Sequence, residues 1–256
     1  MDAAFQTHIG CVRALNEDTG AVVYFPGGYV MAVVADGMGG HQAGDVASLM
    51  AVDIIKMELQ EISNSGLLTP EDGIDLLDRA ILKANDAIFD YARSHDDCHG
   101  MGTTVVVCLL CPEWLVIGHI GDSRIYRISE GEISQLTEDH SLVNELLKNG
   151  QITKEEAVNH PQKNILVKAL GTDRSVDVEL KALAWDPGDQ LLLCTDGLSN
   201  KVAPEVMLQT IQQASTPQLA VEQLIDLALK AGGEDNATAI VISNSNPAQD
   251  RNGVSE

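Results

Sequence analysis

Four acidic residues lie beside glycines at the ends of apolar stretches of the sequence. Asp36 follows VMAVVA, Asp122 follows VIGHIG, Asp196 follows LLLCT, and Asp235 precedes ATAIVIS. One such acid is typical of a turn. Four of them would gather at one end of the sheets if the apolar stretches were aligned strands. Their mutual repulsion would then favour the binding of a cation.

The type of ligand indicates which cation this would be. Carboxylates without a group of cysteines or histidines favour hard ions, with Mg²⁺ or Mn²⁺ first and Ca²⁺ as an alternative. The acids are too far apart for the calcium loop of helix-loop-helix proteins. Cys108 and Cys111 have a zinc-like spacing, but they lie in a strand-like run without a second pair, so we expect no zinc there.

The segment GMGGHQAG, which begins directly after Asp36, resembles a phosphate-binding turn because it joins a strand pattern to a helix pattern. It lacks the lysine and the hydroxyl residue of a nucleoside-triphosphate loop, and it does not have the dinucleotide spacing. We therefore interpret its glycines as residues that let the backbone approach a metal ion, with the carbonyl of Gly37 available as a ligand.

The overall composition excludes several classes of partner. The 256 residues include 38 acids and 16 bases, which gives a net charge of −22. Such a charge repels nucleic acid and anionic membranes. The sequence shows no secretion signal and no apolar run near the ~20 residues of a membrane helix, and its five cysteines are typical of reduced thiols. These features predict a cytoplasmic protein.

Strand patterns are frequent and closely spaced. Apolar and β-branched runs predict strands at residues 29–35, 103–110, 114–120, 123–129 and 190–194. Short links such as CPE and SEGE favour antiparallel neighbours, because a parallel crossover needs a dozen or more residues.

Helix patterns occupy separate blocks. Apolar residues three to four positions apart predict helices at 43–57 and 74–91. Thr69-Pro70 is a suitable start for the second of these helices, and Thr216-Pro217 starts a later one that Gly232 can end. Each helix has one apolar face, so we expect the helices to pack on the outer faces of the sheets.

Residues 141–171 interrupt the strands with two short helix patterns, the second of which has a Thr153/Glu156 capping box. This segment is nearly neutral within a very acidic chain. We interpret it as a flap inserted over one end of the sheets, with an ordinary helical connection as the alternative. The polar residues 244–256 predict a disordered tail.

Seven motifs, in order, resemble those of the metal-dependent protein serine/threonine phosphatases, the protein phosphatase 2C family, and especially its compact bacterial members. They are RALNED (13–18), ADGMGG (35–40), GMGTT (100–104), HIGDSRIY (119–126), LTEDHS (136–141), CTDGLSN (194–200) and GGEDNAT (232–238). Each motif is weak by itself, but the ordered set is specific. The resemblance runs from about Phe5 to Ser243 and implies a single phosphatase domain over residues 1–243. Its implied fold is α+β, a four-layer α-β-β-α sandwich with two central antiparallel sheets and a small helical flap.

The resemblance also implies a site for two ions, Mn²⁺ or Mg²⁺. By motif, Asp36 would bridge both ions. Asp196 and Asp235 would complete the first ion's ligands, and the Gly37 carbonyl with Glu17 would help to hold the second.

Three further residues receive roles from the same motifs. Asp18 would act through bound water, and Asp122 would match a ligand of a third, weaker ion seen in bacterial relatives. Arg13 would bind the substrate phosphate through a two-pronged contact.

The implied reaction is hydrolysis of phosphoserine and phosphothreonine by a hydroxide shared between the two ions. The leaving oxygen needs a proton. Several relatives have histidine directly after the Asp-Gly pair, but this chain has Met38, whose thioether cannot donate. His41 is the nearest candidate for the acid, and a metal-bound water is the alternative. We expect His140 to brace the flap junction and His119 to lie in the core.

The expected partners are phosphorylated proteins, including a cognate serine/threonine kinase and its substrates, and we expect the enzyme to act as a monomer. One alternative is a catalytically dead relative that binds phosphoproteins. Another is a metal-binding module without catalysis. The complete set Arg13, Asp36, Asp196 and Asp235 argues against a dead copy. A simple metal-binding module would leave Arg13 and the flap unexplained.

Overall fold

Two antiparallel sheets lie face to face at the centre of the computed structural model, which describes residues 1–39, 43–60, 62, 68–158 and 160–244. The strands of these residues are, in chain order, β1 (Asp2–His8), β2 (Asp18–Tyr24), β3 (Val30–Met38), β4 (Gly102–Thr103), β5 (Val105–Leu110), β6 (Trp114–Ile120), β7 (Arg124–Ser129), β8 (Glu132–Gln135), β9 (Glu179–Ala184), β10 (Gln190–Cys194) and β11 (Ala237–Ser243). The first sheet has the order β1-β11-β10-β7-β8. The second has the order β2-β3-β5-β6-β9, with β4 paired to β3.

Helices cover the outer face of each sheet. In chain order, the helices of the described residues are α1 (Gly44–Leu59), α2 (Pro70–Ser94), α3 (Leu142–Lys148), α4 (Lys154–Val158), α5 (Asp196–Ser199), α6 (Pro204–Gln213) and α7 (Pro217–Lys230). Apolar faces of α1 and α2 pack on the second sheet, and those of α6 and α7 pack on the first. The predicted four-layer sandwich is therefore confirmed. None of the described helices combines the length and the apolar character that crossing a membrane requires.

The strands show why both sheets can be buried on two faces. In β10, Leu191 and Leu193 point between the sheets, whereas Leu192 and Cys194 pack with the helices of the first sheet. This is the two-residue alternation of a strand, but with apolar residues on both sides. Cys108 lies in the layer between the sheets.

The predicted helix starts are confirmed by their hydrogen bonds. The Thr69 side chain accepts a bond from the Asp72 backbone N–H, and the Asp72 side chain accepts one from the Thr69 N–H, which forms a capping box. Thr216 caps α7 in the same way by accepting from the Leu219 N–H. Helix α7 ends at Lys230, and Gly232 follows with a φ of 123°.

The segment predicted as a flap contains the two expected short helices, α3 and α4. Thr153 and Glu156 form the expected reciprocal bonds between side chain and backbone. Ser141, at the start of the segment, pairs with Leu166, and Leu170, near its end, pairs with Thr103 of β4. Asn244, the first residue of the predicted tail, is buried, and its N–H donates to the Asp189 carbonyl. Residues 245–256, the rest of the predicted tail, lie outside the described residues.

The layer between the sheets predicts the result of a truncation. Leu191→Ala removes a side chain with 0% exposure from that layer. We expect the free energy of unfolding to fall by about 2–5 kcal/mol, because lost burial and an unfilled cavity add together. Leu49→Ala is the matched control, since Leu49 is 52% exposed on α1, and a surface change costs no more than about 0.5 kcal/mol. Urea denaturation measures both values, and equal losses would contradict this account of the core.

Candidate metal centre

Residues from both sheets line one cavity of about 220 Å³ at an end of the sandwich. Its walls come from the β1–β2 connection, the end of β3, the loop after β6, the start of α5 and the residues before β11. The acidic residues of its lining are Glu17, Asp36, Asp122, Asp196 and Asp235. The four acids that the sequence places beside strands therefore do lie together, and Glu17 joins them.

Asp36 lies inside β3 rather than after it, because β3 continues to Met38. Its backbone is held by Thr104, whose hydroxyl accepts from the Asp36 N–H at 3.0 Å and whose N–H donates to the Asp36 carbonyl at 2.9 Å. Across the ladder, Asp36 is the register partner of Asp18 in β2. Regular strand pairing thus places two carboxyl groups directly opposite each other.

Asp18 connects the two sheets. One carboxylate oxygen, Oδ2, accepts hydrogen bonds from Thr195 at 2.9 Å and from Thr238 at 2.7 Å, and both threonines belong to the side of the first sheet. The other oxygen, Oδ1, is buried and has no hydrogen-bond partner among the described residues. Asp18 is 6% exposed, so it is a buried carboxylate in which one oxygen has no hydrogen-bond partner among the described residues.

Gly37 is required by close backbone packing. A Cβ atom at this position would lie 1.9 Å from the carbonyl oxygen of Gly44 at the start of α1. The Gly37 N–H donates to the Glu17 carbonyl at 3.1 Å, and the Glu17 N–H donates to the Asn236 side chain at 2.8 Å. These bonds hold Glu17 and Gly37 side by side at the cavity.

Two acids of the first sheet complete the cavity. Asp196 is the first residue of α5 and accepts a bond from the Asn200 side chain at 3.1 Å. Asp235 accepts a bond from the Arg13 guanidinium at 2.7 Å. Arg13 also lines the cavity, and its side chain is 48% exposed, so its remaining N–H groups can reach a ligand from solvent.

Asp122 lies where this cavity meets a second one of about 340 Å³. Asp196 also lines both, and the second cavity is bounded by Val143, Ala157 and Lys163 of the predicted flap. Leu166, near the carboxyl end of that segment, reaches the first cavity. Residues of the segment 141–171 therefore form one wall of the acidic cavity.

The carboxyl groups oppose one another's ionisation. Burial, followed by the charge of Asp18 and then of Asp196, raises the pKa of Asp36 well above its ordinary value. Burial raises the pKa of Asp18 to about 7 against the two threonine hydrogen bonds. Burial and the charge of Asp196 raise the pKa of Asp122 to about 7.

The same effect extends to two further acids. Burial and then the charge of Asp235 raise the pKa of Asp196, although a hydrogen bond with Asp36 partly offsets the rise. Burial raises the pKa of Glu17, with a smaller opposing effect of Arg13. In the metal-free protein, the raised pKa values disfavour ionisation of all these groups at once near neutral pH. A bound cation would lower the pKa values and favour the ionised forms.

Sequence reasoning missed the residues that hold the acids in place. Thr195, Thr238, Asn236 and Thr104 bond to Asp18, Glu17 or Asp36. Thr195 adjoins Asp196, Asn236 adjoins Asp235, and Thr238 lies three residues after Asp235, so closeness to a predicted acid in the motifs CTDGLSN and GGEDNAT is the available signal. His41, the predicted acid, lies outside the described residues. Met38 lines the cavity.

Comparisons with known proteins agree with this architecture. Residues 10–230 match the family model described as protein phosphatase 2C. The serine/threonine phosphatase stp of Listeria monocytogenes is 43% identical over 242 residues, which cover 94% of this chain and 95% of that protein.

Solved structures show the same fold. Serine/threonine phosphatase Stp1 from Staphylococcus aureus has a TM-score of 0.87 and 37% identity, covering 94% of each chain. The catalytic domain of serine/threonine protein phosphatase PstP, solved in complex with two manganese ions, has a TM-score of 0.81 and 35% identity, covering 93% of this chain and 96% of that one. This chain belongs to the protein phosphatase 2C family of metal-dependent protein serine/threonine phosphatases.

Proposed function

We propose that this protein hydrolyses phosphoserine and phosphothreonine in proteins with the help of Mn²⁺ or Mg²⁺. The observation that carries the proposal is the gathering of five carboxyl groups and Arg13 around one small cavity. Mutually repelling acids create a demand for divalent ions, and a guanidinium beside them can bind the phosphate of a substrate.

The residues of the cavity fit hard divalent ions. Their acidic side chains offer oxygen atoms, which Mg²⁺ and Mn²⁺ prefer. Oδ1 of Asp18 has no hydrogen-bond partner among the described residues and is available to accept a bond from a metal-held water. Burial and then neighbouring carboxylates raise the pKa values of Asp36 and Asp196, and an ion would neutralise that neighbouring charge.

The geometry supports a specific division of ligands. Asp36, central among the acids, would contact both ions, with Asp196 and Asp235 completing the first. The Gly37 carbonyl and Glu17, which lie side by side, would hold the second.

Two acids would have secondary roles. Asp18, opposite Asp36 in the ladder, would act through bound water. Asp122, at the junction of the two cavities, would bind a third and weaker ion.

When bound, the ions would lower the pKa of water and neutralise charge on the phosphoryl group, which is the chemistry that phosphate-ester hydrolysis needs. Arg13 would orient the phosphate through its free N–H groups, while Asp235 fixes the other end of the guanidinium. Met38 cannot donate a proton to the leaving oxygen. We propose His41, three residues further along the chain, for that role.

We further propose that residues 1–243 act as one phosphatase domain, with residues 141–171 as a flap that contacts the substrate protein. Leu166 and Asn164 of this segment line the acidic cavity, which supports the assignment. Phosphorylated proteins would be the substrates, including a cognate serine/threonine kinase and its targets. The net charge of −22 disfavours nucleic acid and anionic membranes as partners. We propose a cytoplasmic monomer.

Asp36→Asn tests the centre of the site. The amide cannot supply the negative charge that two divalent ions require, so we expect kcat on a phosphothreonine peptide to fall by more than about 10²-fold at every Mn²⁺ concentration. Asp53→Asn, an exposed acid on α1, is the matched control and should retain full activity. Phosphate release measures the rates, and circular dichroism verifies the fold. Undiminished turnover by Asp36→Asn would overturn its assignment.

Arg13→Ala tests phosphate binding. Loss of charged hydrogen bonds worth about 1.5–3 kcal/mol should raise KM for the peptide about 10- to 100-fold. Mn²⁺ binding should persist, because Arg13 is not a metal ligand. Arg13→Lys keeps the charge but not the two-pronged geometry, and we expect an intermediate KM. Steady-state kinetics give the values, and an unchanged KM in Arg13→Ala would exclude the role.

The raised pKa values predict how pH affects the metal-free protein. The folded-state pKa of Asp18 is about 7, above the ordinary value of 3.8 that applies on unfolding. Its contribution to stability is therefore full below pH 3.8 and is lost as pH rises through about 7. In EDTA, we expect the free energy of unfolding to fall between pH 6 and pH 8.

The variant Asp18→Asn isolates that contribution, since the amide does not titrate. Its free energy of unfolding should fall less steeply between pH 6 and pH 8, as measured by urea denaturation in EDTA. Mn²⁺ should stabilise the native protein more at pH 8 than at pH 6. If the free energy of unfolding had the same dependence on pH in both proteins, the surroundings of Asp18 would not disfavour its ionised form.

A further inference from the structure

His140 bonds to both backbone groups of Gly121, the residue that precedes Asp122. The Gly121 N–H donates to His140 Nδ1 at 3.1 Å, and the His140 N–H donates to the Gly121 carbonyl at 2.9 Å. His140 is 3% exposed, so these bonds are shielded from water. None of the roles proposed above for the metal centre uses this histidine.

The donor at Gly121 fixes the tautomer of the ring. A backbone N–H can only donate, so Nδ1 is unprotonated and Nε2 carries the proton. Nε2 then donates to Glu179 Oε1 at 3.0 Å. Glu179 begins β9, in the second sheet, so a chain of hydrogen bonds runs from that strand through the imidazole to Gly121.

A second histidine supports the plane of the first. The rings of His119 and His140 are stacked with centroids 4.6 Å apart, and His119 Nε2 bonds to the Glu138 carbonyl at 2.8 Å. Ligand atoms of His119, His140 and Glu179 lie within 4.8 Å of one another, close enough for a metal ion to be considered. Both nitrogens of His140 are already committed to hydrogen bonds, however, which favours a bracing role for the trio.

The backbone around Asp122 needs such external support. Gly121 has a φ of 105°, and a Cβ atom there would lie 2.6 Å from Thr104, so this position cannot carry a side chain to pack. Ser123 bonds to the Thr104 hydroxyl at 2.7 Å, which fixes the other side of Asp122. His140 provides the matching restraint on the Gly121 side.

The same histidine is joined to the flap. Its carbonyl accepts from the Val167 N–H at 2.9 Å, next to the pair Ser141–Leu166 that closes the flap base. Leu166 lines the acidic cavity. His140 thus connects one wall of the cavity to the loop that carries Asp122.

We propose that His140, oriented by Glu179, is a positioning residue that sets the Asp122 carboxylate for the third, weaker ion. The inference rests on the proposed role of Asp122 as a ligand. Groups that orient metal ligands typically change affinity by about 10- to 100-fold when they are removed.

Two near-isosteric variants separate the two hydrogen bonds of the ring. In His140→Asn, the amide oxygen takes the place of Nδ1 and can still accept from Gly121. In His140→Gln, the amide nitrogen takes the place of Nε2 and can still donate to Glu179. We expect His140→Gln to weaken the weakest class of Mn²⁺ binding about tenfold, and His140→Asn to weaken it less. Mn²⁺ titration followed by electron paramagnetic resonance reads binding without any turnover.

Glu179 provides a second pair in case the histidine variants do not fold. Glu179→Gln keeps an oxygen that accepts from His140 Nε2, whereas Glu179→Ala removes it. We expect Mn²⁺ binding at the weak class to be retained in the former and to fall several-fold in the latter. Equal effects within both pairs would overturn the inference.

A double-mutant cycle with Asp122→Asn distinguishes failure of this inference from failure of the ligand assignment. If His140 acts through Asp122, then His140→Gln has no further effect on weak-class Mn²⁺ binding in the Asp122→Asn background. Additive losses would overturn the positioning role alone. If Asp122→Asn by itself leaves Mn²⁺ binding unchanged, then the assignment of Asp122 and the role of His140 are both wrong.

Discussion

Repulsion among carboxyl groups at the junction of the two sheets is the constraint on which the rest of the structure depends. Burial raises the pKa values of Asp18, Asp36 and Asp122, and the charges of neighbouring carboxylates further disfavour the ionised form of each acid. A fold that tolerates this must gain its stability elsewhere. Here that stability comes from three apolar layers, two under the helices and one between the sheets. The buried carboxyl groups thus destabilise the folded protein locally, and the packing of the sandwich offsets this destabilisation until divalent ions bind.

Asp18 and Glu17 are held by neutral groups from the side of the opposite sheet. Thr195 and Thr238 donate to Asp18, and Asn236 accepts from the Glu17 backbone. Neutral donors fix a carboxylate and leave its negative charge in place, whereas a lysine or arginine would cancel that charge. Metal affinity therefore survives in a site whose geometry is set before any ion arrives. Because these bonds cross between the sheets, the geometry of the site depends on how the two sheets pack against each other.

The sequence allowed most of the sandwich to be predicted, because its central strands are continuous apolar runs. The sequence patterns do not predict strands β1, β2, β8 and β9 or helices α5 and α6. Three of these elements, β1, β2 and β9, are half-exposed, and their patterns mix polar and apolar residues. The sequence places the acids near strand ends, but it predicts that the strand stops before Asp36, whereas Asp36 lies inside β3. Ladder register, which brings Asp18 opposite Asp36, depends on pairing between strands that no local pattern specifies.

The acids of the site differ in what holds them in place. Asp36 and Asp18 are fixed by the β2–β3 ladder itself. Asp122 lies in a loop after β6 and depends on side chains that come from three directions: Ser123 with Thr104, Arg124 with Asp139, and His140 with Gly121. A ligand on a strand moves only if the sheet moves, whereas a ligand on a loop moves when one of its restraints is lost. The carboxylates on β2 and β3 accordingly form the more rigid part of the site, and residues 141–171, which are joined to His140 and contribute Asn164 and Leu166 to the cavity, adjoin both that part and the loop of Asp122.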